Sequence, residues 1–294
     1  MSALVDILRP DFLLHDALVG SVLVGLVCPL VGVYFVLRRM IFLGVALPQL
    51  SAAGIAFAFL GYRFAVAQHE HGALGERALA MVGSFAFTLG GLLLLAWLER
   101  RGRETIEARI GFTYAIAAAL TILFLASDPR GDAQMVNLLK GDILATTATS
   151  LRVVKIVLAS VAVALFIFRK ELLLVSFDRE LAAVFGKRLW LWDGLLYLVM
   201  GTTISLGVTT AGPIVTFGFL VIPPLTARLI TRHMLSFSVL ASILGATAAF
   251  AGFYVAYVVD LPLGPTQVAV AAAMLVVLAA ITSLRALARR AGAV

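Results

Sequence analysis

The sequence predicts an all-α membrane protein, a polytopic bundle of about eight to nine transmembrane helices formed by a single domain over residues 1–294. Hydrophobic residues make up 62% of the chain and charged residues 13%, whereas soluble domains are about 45–50% apolar and about 25% charged. The mean hydropathy is +1.06. Several uncharged runs also reach the roughly 17–25 residues that one membrane-crossing helix needs. We therefore expect a multi-pass protein of the inner cell membrane.

Eight apolar runs follow one another along the chain, and only the fifth contains a charge, Lys155. Most are expected to form one transmembrane helix each. In order, the runs cover residues 17–37, 40–62, 78–98, 110–127, 153–168, 194–227, 234–259 and 261–284.

The sixth run, residues 194–227, is too long for one ordinary crossing because it contains 34 residues. It carries Gly212-Pro213 at its middle and Pro223-Pro224 near its end, which predicts two short helices with the second one broken. Broken helices at membrane depth need protein or a water-filled cavity to satisfy the freed backbone groups. The run is thus a candidate for lining a pathway, although a proline kink used only for packing fits equally well.

Basic residues predict the orientation, because loops rich in Lys and Arg stay cytoplasmic. Five segments hold 16 of the 23 basic residues: Arg38-Arg39 and residues 99–109, 169–188, 228–232 and 285–290. Placing them inside gives nine crossings with the N-terminus outside, unless half of the sixth run is re-entrant. This asymmetry and contact with anionic membrane lipid account for the net charge of +7. No nucleic-acid partner is expected.

The cytoplasmic segment 176–189 is predicted to form a short amphipathic helix. Asp178 can cap its N-terminus, Glu180 suits the first turn, and Gly186 can end it. Three residues at helical spacing give it an apolar stripe: Leu181, Val184 and Phe185. The stripe must dock on the membrane surface, on its own bundle or on a separate cytoplasmic subunit.

Gln49 is the only amide side chain in the run 40–62, which has no charged residue. A polar side chain inside a membrane is costly, so it usually faces a cavity, a pathway or another helix. Gln49 is therefore a candidate pathway residue.

Five segments together resemble the permease subunits of ABC importers for manganese, zinc and iron, over residues 12–284. They are Arg38-Arg39 followed by LGVAL, LKGDILA at 139–145, SFDRELAAVFG at 176–186, GPIVTFGFLVIPPLTAR at 212–228 and DLPLGPTQVAV at 260–270. The resemblance implies the type II importer permease fold and a homodimer with the pathway at its axis. It also implies a periplasmic or lipoprotein substrate-binding protein and two cytoplasmic ATP-binding subunits docked on coupling helices.

The coupling helix implied by this resemblance coincides with the predicted amphipathic helix. Arg179 and Glu180 are expected to make polar contacts with the ATP-binding subunit, while Leu181 and Phe185 fill its groove. The full set of expected coupling residues is Asp178, Arg179, Glu180, Leu181, Val184, Phe185 and Gly186. The sequence contains no G-x-x-x-x-G-K-[ST] phosphate loop. We therefore expect a transport subunit that is not itself an enzyme and binds no cofactor, with ATP used by the partner.

The sequence departs from the family at the substrate site. Family members usually carry G-D-A-x-x-H after the two arginines, whereas this chain has Val45 and Gln49 in place of the aspartate and histidine. Valine cannot coordinate a metal, and a neutral amide oxygen is a poor zinc ligand. The expected pathway residues are Val45, Pro48, Gln49, Ser51, Thr209, Thr210 and Thr216, with Thr202, Thr203 and Ser205 as further polar lining.

Three explanations for the missing ligands stay open. The substrate is a chelate or another species read by shape and hydrogen bonds, or the metal passes without a dedicated intramembrane site, or other residues replace the pair. Serine and threonine hydroxyls inside helices also often bond their own backbone and line no route.

Two further possibilities concern a metal site in an external loop and a different class of transporter. His69, Glu70 and His71 are weak candidates for a metal site in an external loop, where solvation is the simpler explanation. A secondary transporter or channel working without ATPase subunits is the alternative function; the apolar runs contain no carboxylate or histidine for ion coupling.

Overall fold

The computed structural model describes residues 14–66, 73–101, 105–127, 148–231 and 233–291, and within those ranges every regular element is an α-helix. The predicted all-α fold is thus confirmed. The helices are α1 (His15–Leu37), α2 (Leu43–Val66), α3 (Ala73–Arg101), α4 (Ile106–Ala126), α5 (Ala148–Ile167), α6 (Arg169–Phe177), α7 (Arg179–Val184), α8 (Leu189–Ala211), α9 (Pro213–Ile230), α10 (Met234–Val259) and α11 (Leu263–Ala291).

Eight of the described helices are long and apolar enough to cross a membrane, and a ninth span results if α5 and α6 count as one. These two helices bend by 70° at their junction. Because successive spans alternate in direction, the five basic segments all fall at the same end of the bundle. Basic loops are retained in the cytoplasm, so we expect this end to be the cytoplasmic one.

The bundle consists of two groups of helices joined by α8. In one group α2 packs against α3 and α4, and in the other α1 packs against α9 and α10, while α11 packs against the same two helices. Helix α8 contacts α1, α2, α3 and α9, so it touches both groups. Large side chains fill the interior, among them Phe35, Leu47, Met200, Phe219 and Phe253, each less than 2% exposed.

Glycine pairs set how closely the helices approach within each group. A Cβ on Gly54 of α2 would overlap the carbonyl oxygen of Gly83 in α3, and the reverse is also true. Gly25 of α1 and Gly245 of α10 form a second pair of this kind. Small residues at helix crossings let backbones meet, which is how helices associate in a solvent as apolar as their own side chains.

The sixth apolar run divides where the sequence predicted, at Gly212. This glycine has φ 86° and separates α8 from α9, and Pro213 takes the first helical position, where a missing N–H costs nothing. The prediction that the second helix is broken was wrong, because α9 continues through Pro223 and Pro224. Pro224 cannot use the carbonyl of Leu220, but Gly32 of α1 lies directly against that oxygen and against the proline ring. The close packing of α1 therefore covers the carbonyl that Pro224 leaves without its helical partner.

Candidate functional site

Helix α7 forms at the cytoplasmic end as the sequence predicted, although it is shorter. The Asp178 carboxylate accepts a hydrogen bond of 2.9 Å from the Leu181 N–H and caps the N-terminus. At the other end Gly186 adopts φ 69°, the Gly186 N–H donates to Ala183 and the Lys187 N–H donates to Ala182, a Schellman motif. These caps confine α7 to Arg179–Val184, so the expected bounds 176–189 were too wide.

The apolar stripe of α7 is not docked on the protein's own bundle. Leu181, Val184 and Phe185 are 44%, 82% and 66% exposed, and the helix buries only Ala182. Of the three docking surfaces that the sequence left open, the chain's own bundle is therefore excluded. The membrane surface and a separate subunit remain.

Four side chains on or next to α7 form what we call the Asp193 cluster: Arg38, Ser176, Arg179 and Asp193. Nη2 of Arg179 lies 2.6 Å from Oδ2 of Asp193, and Nη2 of Arg38 lies 2.8 Å from Oδ1 of the same carboxylate. The contact with Arg38 is an ion pair and not a hydrogen bond, because neither atom has hydrogen-bonding geometry. Nε of Arg38 donates to Oγ of Ser176 over 3.1 Å. The cluster thus joins the end of α1, the end of α6, the start of α7 and the first turns of α8.

Sequence reasoning singled out Arg38 and Arg179 but missed Asp193. One signal was available: Asp193 is the only acidic residue between Glu180 and Asp260, and it directly precedes the sixth apolar run. An isolated carboxylate at the edge of a membrane span indicates a paired charge, because an unpaired one is costly there.

Val45 and Gln49 lie on one face of α2, one turn apart. Both are partly exposed, as is Phe42 on the same face, while most of the residues around them on α2 are buried. Because α2 begins at Leu43, Gln49 lies in its second turn. No hydrogen bond to the Gln49 amide is present within the described ranges.

Ser51 points to another part of the bundle. Its hydroxyl lies 2.5 Å from that of Ser84 in α3, which lies 2.7 Å from the hydroxyl of Ser205 in α8. All three serines are buried, at 0%, 0% and 5% exposure. Ser84 was missed by sequence reasoning, although a polar residue beside Gly83 in an apolar run was a visible signal. This serine chain links α2 and α3, which belong to one group of the bundle, to α8.

The predicted threonines use their hydroxyls within their own helices. Thr209, Thr210 and Thr216 each donate to the carbonyl four residues earlier, at 2.9, 2.7 and 2.8 Å. Thr202 and Thr203 do the same, and Pro48 is buried. Among the expected pathway residues, Val45 and Gln49 thus share a face, Ser51 belongs to the serine chain, and the threonines are bonded to backbone. Their pathway role stays a prediction.

Metal-binding candidates fall largely outside the described residues. His69, Glu70 and His71 lie there, as does the segment 139–145. Within the described ranges, no three of the His, Cys, Asp and Glu side chains are close enough together to hold a metal ion.

Similarity to known proteins covers almost the whole chain. The ABC 3 transport family matches residues 11–282. The manganese transport system membrane protein MntC of Listeria monocytogenes is 27% identical over 259 residues, covering 88% of this chain and 86% of that protein. A probable iron transport system membrane protein of Haemophilus influenzae is 28% identical over 250 residues, covering 85% and 83%. PsaBC from Streptococcus pneumoniae, solved in complex with Fab, has the same fold, with a TM-score of 0.79 over 94% of each chain at 24% identity.

These similarities confirm the resemblance that the sequence predicted. The family match includes all the helices that pack around α8, and the relatives align along most of their own lengths. A bundle in which eight of the described helices are long and apolar enough to cross a membrane agrees with a membrane transport protein. The chain belongs to the ABC 3 transport family.

Proposed function

We propose that this chain is the permease subunit of an ATP-driven importer for manganese, iron or zinc, or for a chelate of such a metal. Two copies would enclose the pathway, a substrate-binding protein would deliver the solute from outside, and separate ATP-binding subunits would dock on α7 from the cytoplasm. The named functions of the relatives, manganese transport and iron transport, support this choice of substrate class.

The exposed stripe of α7 is the observation that carries the proposal. Helices that lie in a membrane surface bury a long apolar face and carry many Lys and Arg residues on the other face. Helix α7 has only six residues, and its first turn carries the acidic Asp178 and Glu180 beside a single cation, Arg179. A short capped helix with a few exposed apolar anchors fits a groove in a protein better than a lipid surface.

The lack of charge on the partly exposed face of α2 argues against a bare divalent ion bound at this face. A bare divalent ion beside Val45 and Gln49 would have no charge to compensate it in a medium of low dielectric constant. We propose that selectivity for the metal resides in the binding protein or in a chelate, and that this stretch of the permease recognises shape and hydrogen bonding through Gln49. The secondary-transporter alternative gains no support from the buried Asp193, since that carboxylate is paired with two arginines at the cytoplasmic end.

Uptake by cells tests the proposal. The chain is expressed with its ATP-binding and substrate-binding proteins in a bacterium that lacks its own manganese, zinc and iron importers. Uptake of each radioactive metal is then measured, alone and as a preformed chelate. We expect uptake of at least one form, and loss of that uptake when the ATP-binding subunit is replaced by a form that cannot hydrolyse ATP. Uptake that persists with the inactive subunit would identify a secondary transporter or channel instead.

A further inference from the structure

The two arginines of the Asp193 cluster differ in how firmly they are held. The side chains of Arg38 and Asp193 are only 7% and 12% exposed, whereas that of Arg179 is 50% exposed. Removing one member of an ion pair that is shielded from water leaves the other as a costly buried charge. A half-exposed pair contributes little and exchanges readily with water. Arg38 and Asp193 therefore form the fixed part of the cluster, and Arg179 forms the part that can move.

Arg179 moves with α7. Arg179 is the first residue of that helix, directly after the Asp178 cap. The helices that α7 contacts most are α6 and α8. Any force on the exposed stripe of α7 thus reaches the bundle through few contacts. One of these contacts joins opposite charges: Nη2 of Arg179 lies 2.6 Å from Oδ2 of Asp193.

Arg38 occupies a rigid position between α1 and α2. It is the C-cap of α1, and the next residue, Arg39, has φ 57°, a left-handed conformation that is unusual for a residue other than glycine. The Arg39 N–H donates to Val36 and the Met40 N–H donates to Phe35, which closes a Schellman motif. A displacement of the Arg38 side chain is consequently passed to a well-defined turn of the backbone.

Helix α2 begins just after this turn and carries Val45 and Gln49 in its first two turns. Gln49 lies about 9 Å along the helix from Leu43, at a rise of about 1.5 Å per residue. Pro48 and most of the other residues around them on α2 are buried, so this partly exposed face belongs to the packed start of the helix. The Asp193 cluster thus connects α7 to this face by contacts between residues that the structure describes.

We infer that Asp193 is a positioning residue for transport, which passes the movement of α7 to the junction of α1 and α2 through its shared pairing with Arg179 and Arg38. The inference rests on the proposed function, because it requires an ATP-binding subunit on α7. Asp193 touches no solute in this role. It sets how much of the ATP-driven movement becomes a movement of α2.

The Asp193→Asn variant tests the inference by the amount of substrate transported per ATP hydrolysed. The purified chain and its ATP-binding subunit are reconstituted in proteoliposomes with the binding protein outside, and both quantities are measured. We expect normal copurification of the ATP-binding subunit, continued ATP hydrolysis, and a fall in the transport-to-hydrolysis ratio of about fivefold or more, the range of typical allosteric coupling. Asp193→Glu keeps the charge and is expected to restore part of the ratio. Lys170→Gln removes an exposed cation on α6 and serves as the unchanged control.

The Arg179→Gln variant decides the question if Asp193→Asn fails to fold. It removes only the half-exposed partner and leaves the pair of Arg38 and Asp193 intact. We expect a smaller fall in the ratio, and no additional fall when the substitution is added to a folded Asp193→Asn protein. An unchanged ratio in Arg179→Gln, or in a folded Asp193→Asn, overturns the inference. Failure of the wild-type complex to transport with ATP would instead contradict the proposed function, so the two failures are distinguishable.

Discussion

The cytoplasmic end of this protein and the interior of its bundle differ in their polar contacts, which are charged at the cytoplasmic end and neutral in the interior. At the cytoplasmic end charges meet at 2.6 and 2.8 Å around Asp193, and α7 is fixed by caps at both termini. Among the described residues of the interior the polar contacts are neutral and include those of serine hydroxyls and of threonines bonded to their own backbone, while Gln49 makes no hydrogen bond. In the proposed function, the end that receives force from the ATP-binding subunit is thus held by charged contacts, and the part that meets the substrate is held by neutral ones.

The largest effect is expected from disrupting α7. Replacing Leu181 and Phe185 together with glutamate places two charges where the ATP-binding subunit would bury apolar anchors, so the subunit should dissociate and ATP-dependent uptake should be abolished. Copurification of the two chains measures this directly. Lys170→Glu changes the charge by the same amount on neighbouring α6 and should leave the complex intact. An unchanged yield of the complex in the double variant would refute the docking role of α7.

The next largest effect is expected in the interior, at the crossing of α2 and α3. Gly83→Val would place a side chain 2.8 Å from the Cβ of Ala58 and against the carbonyl of Gly54, so the helices must separate. We expect a cost of about 1–3 kcal/mol, or loss of folded protein in detergent. Gly90→Val, on the same helix with nothing within 4 Å of the added Cβ, is the matched control. Equal thermal unfolding midpoints for the two variants would show that the crossing is looser than described.

A third prediction concerns the two metal ligands that α2 lacks. Val45→Asp combined with Gln49→His puts a carboxylate and an imidazole one helical turn apart on the partly exposed face of α2. We expect the purified double variant to bind divalent manganese or zinc more tightly than either single variant in a metal titration. No gain over the single variants would mean that these positions do not correspond to the aspartate and histidine of the family.

The smallest effect is expected from Ser84→Ala. The substitution removes the central hydroxyl of the serine chain and leaves those of Ser51 and Ser205 without their partner. Interhelical hydrogen bonds in membranes contribute about 0.6–2 kcal/mol, so a modest fall in the thermal unfolding midpoint is expected. Thr121→Val removes a buried hydroxyl that bonds only its own helix and should change the midpoint less. The reverse order would indicate that the serine chain does not hold α3 to α2 and α8.

Local features of this fold were predictable from the sequence and long-range contacts were not. Asp178, Gly186 and Gly212 have their effects on residues a few positions away, and each ends or begins a helix as predicted. The continuity of α9 through Pro223-Pro224 was not predicted, and the residue packed against this stretch, Gly32, belongs to a helix distant in the sequence. The bond between Ser84 and Ser205 joins residues 121 positions apart, and that between Arg38 and Ser176 joins residues 138 apart. Pairings of this kind depend on how the helices pack, which no local pattern encodes.

In the proposed function, ATP hydrolysed by a subunit bound at α7 drives uptake through this chain. The most direct measurement is uptake into sealed proteoliposomes that contain the complex, with the binding protein and its solute outside and ATP trapped inside. The proposed function predicts uptake that requires internal ATP and disappears with the Leu181 and Phe185 double substitution. Uptake driven by a proton gradient in the absence of ATP, unaffected by that substitution, would contradict it.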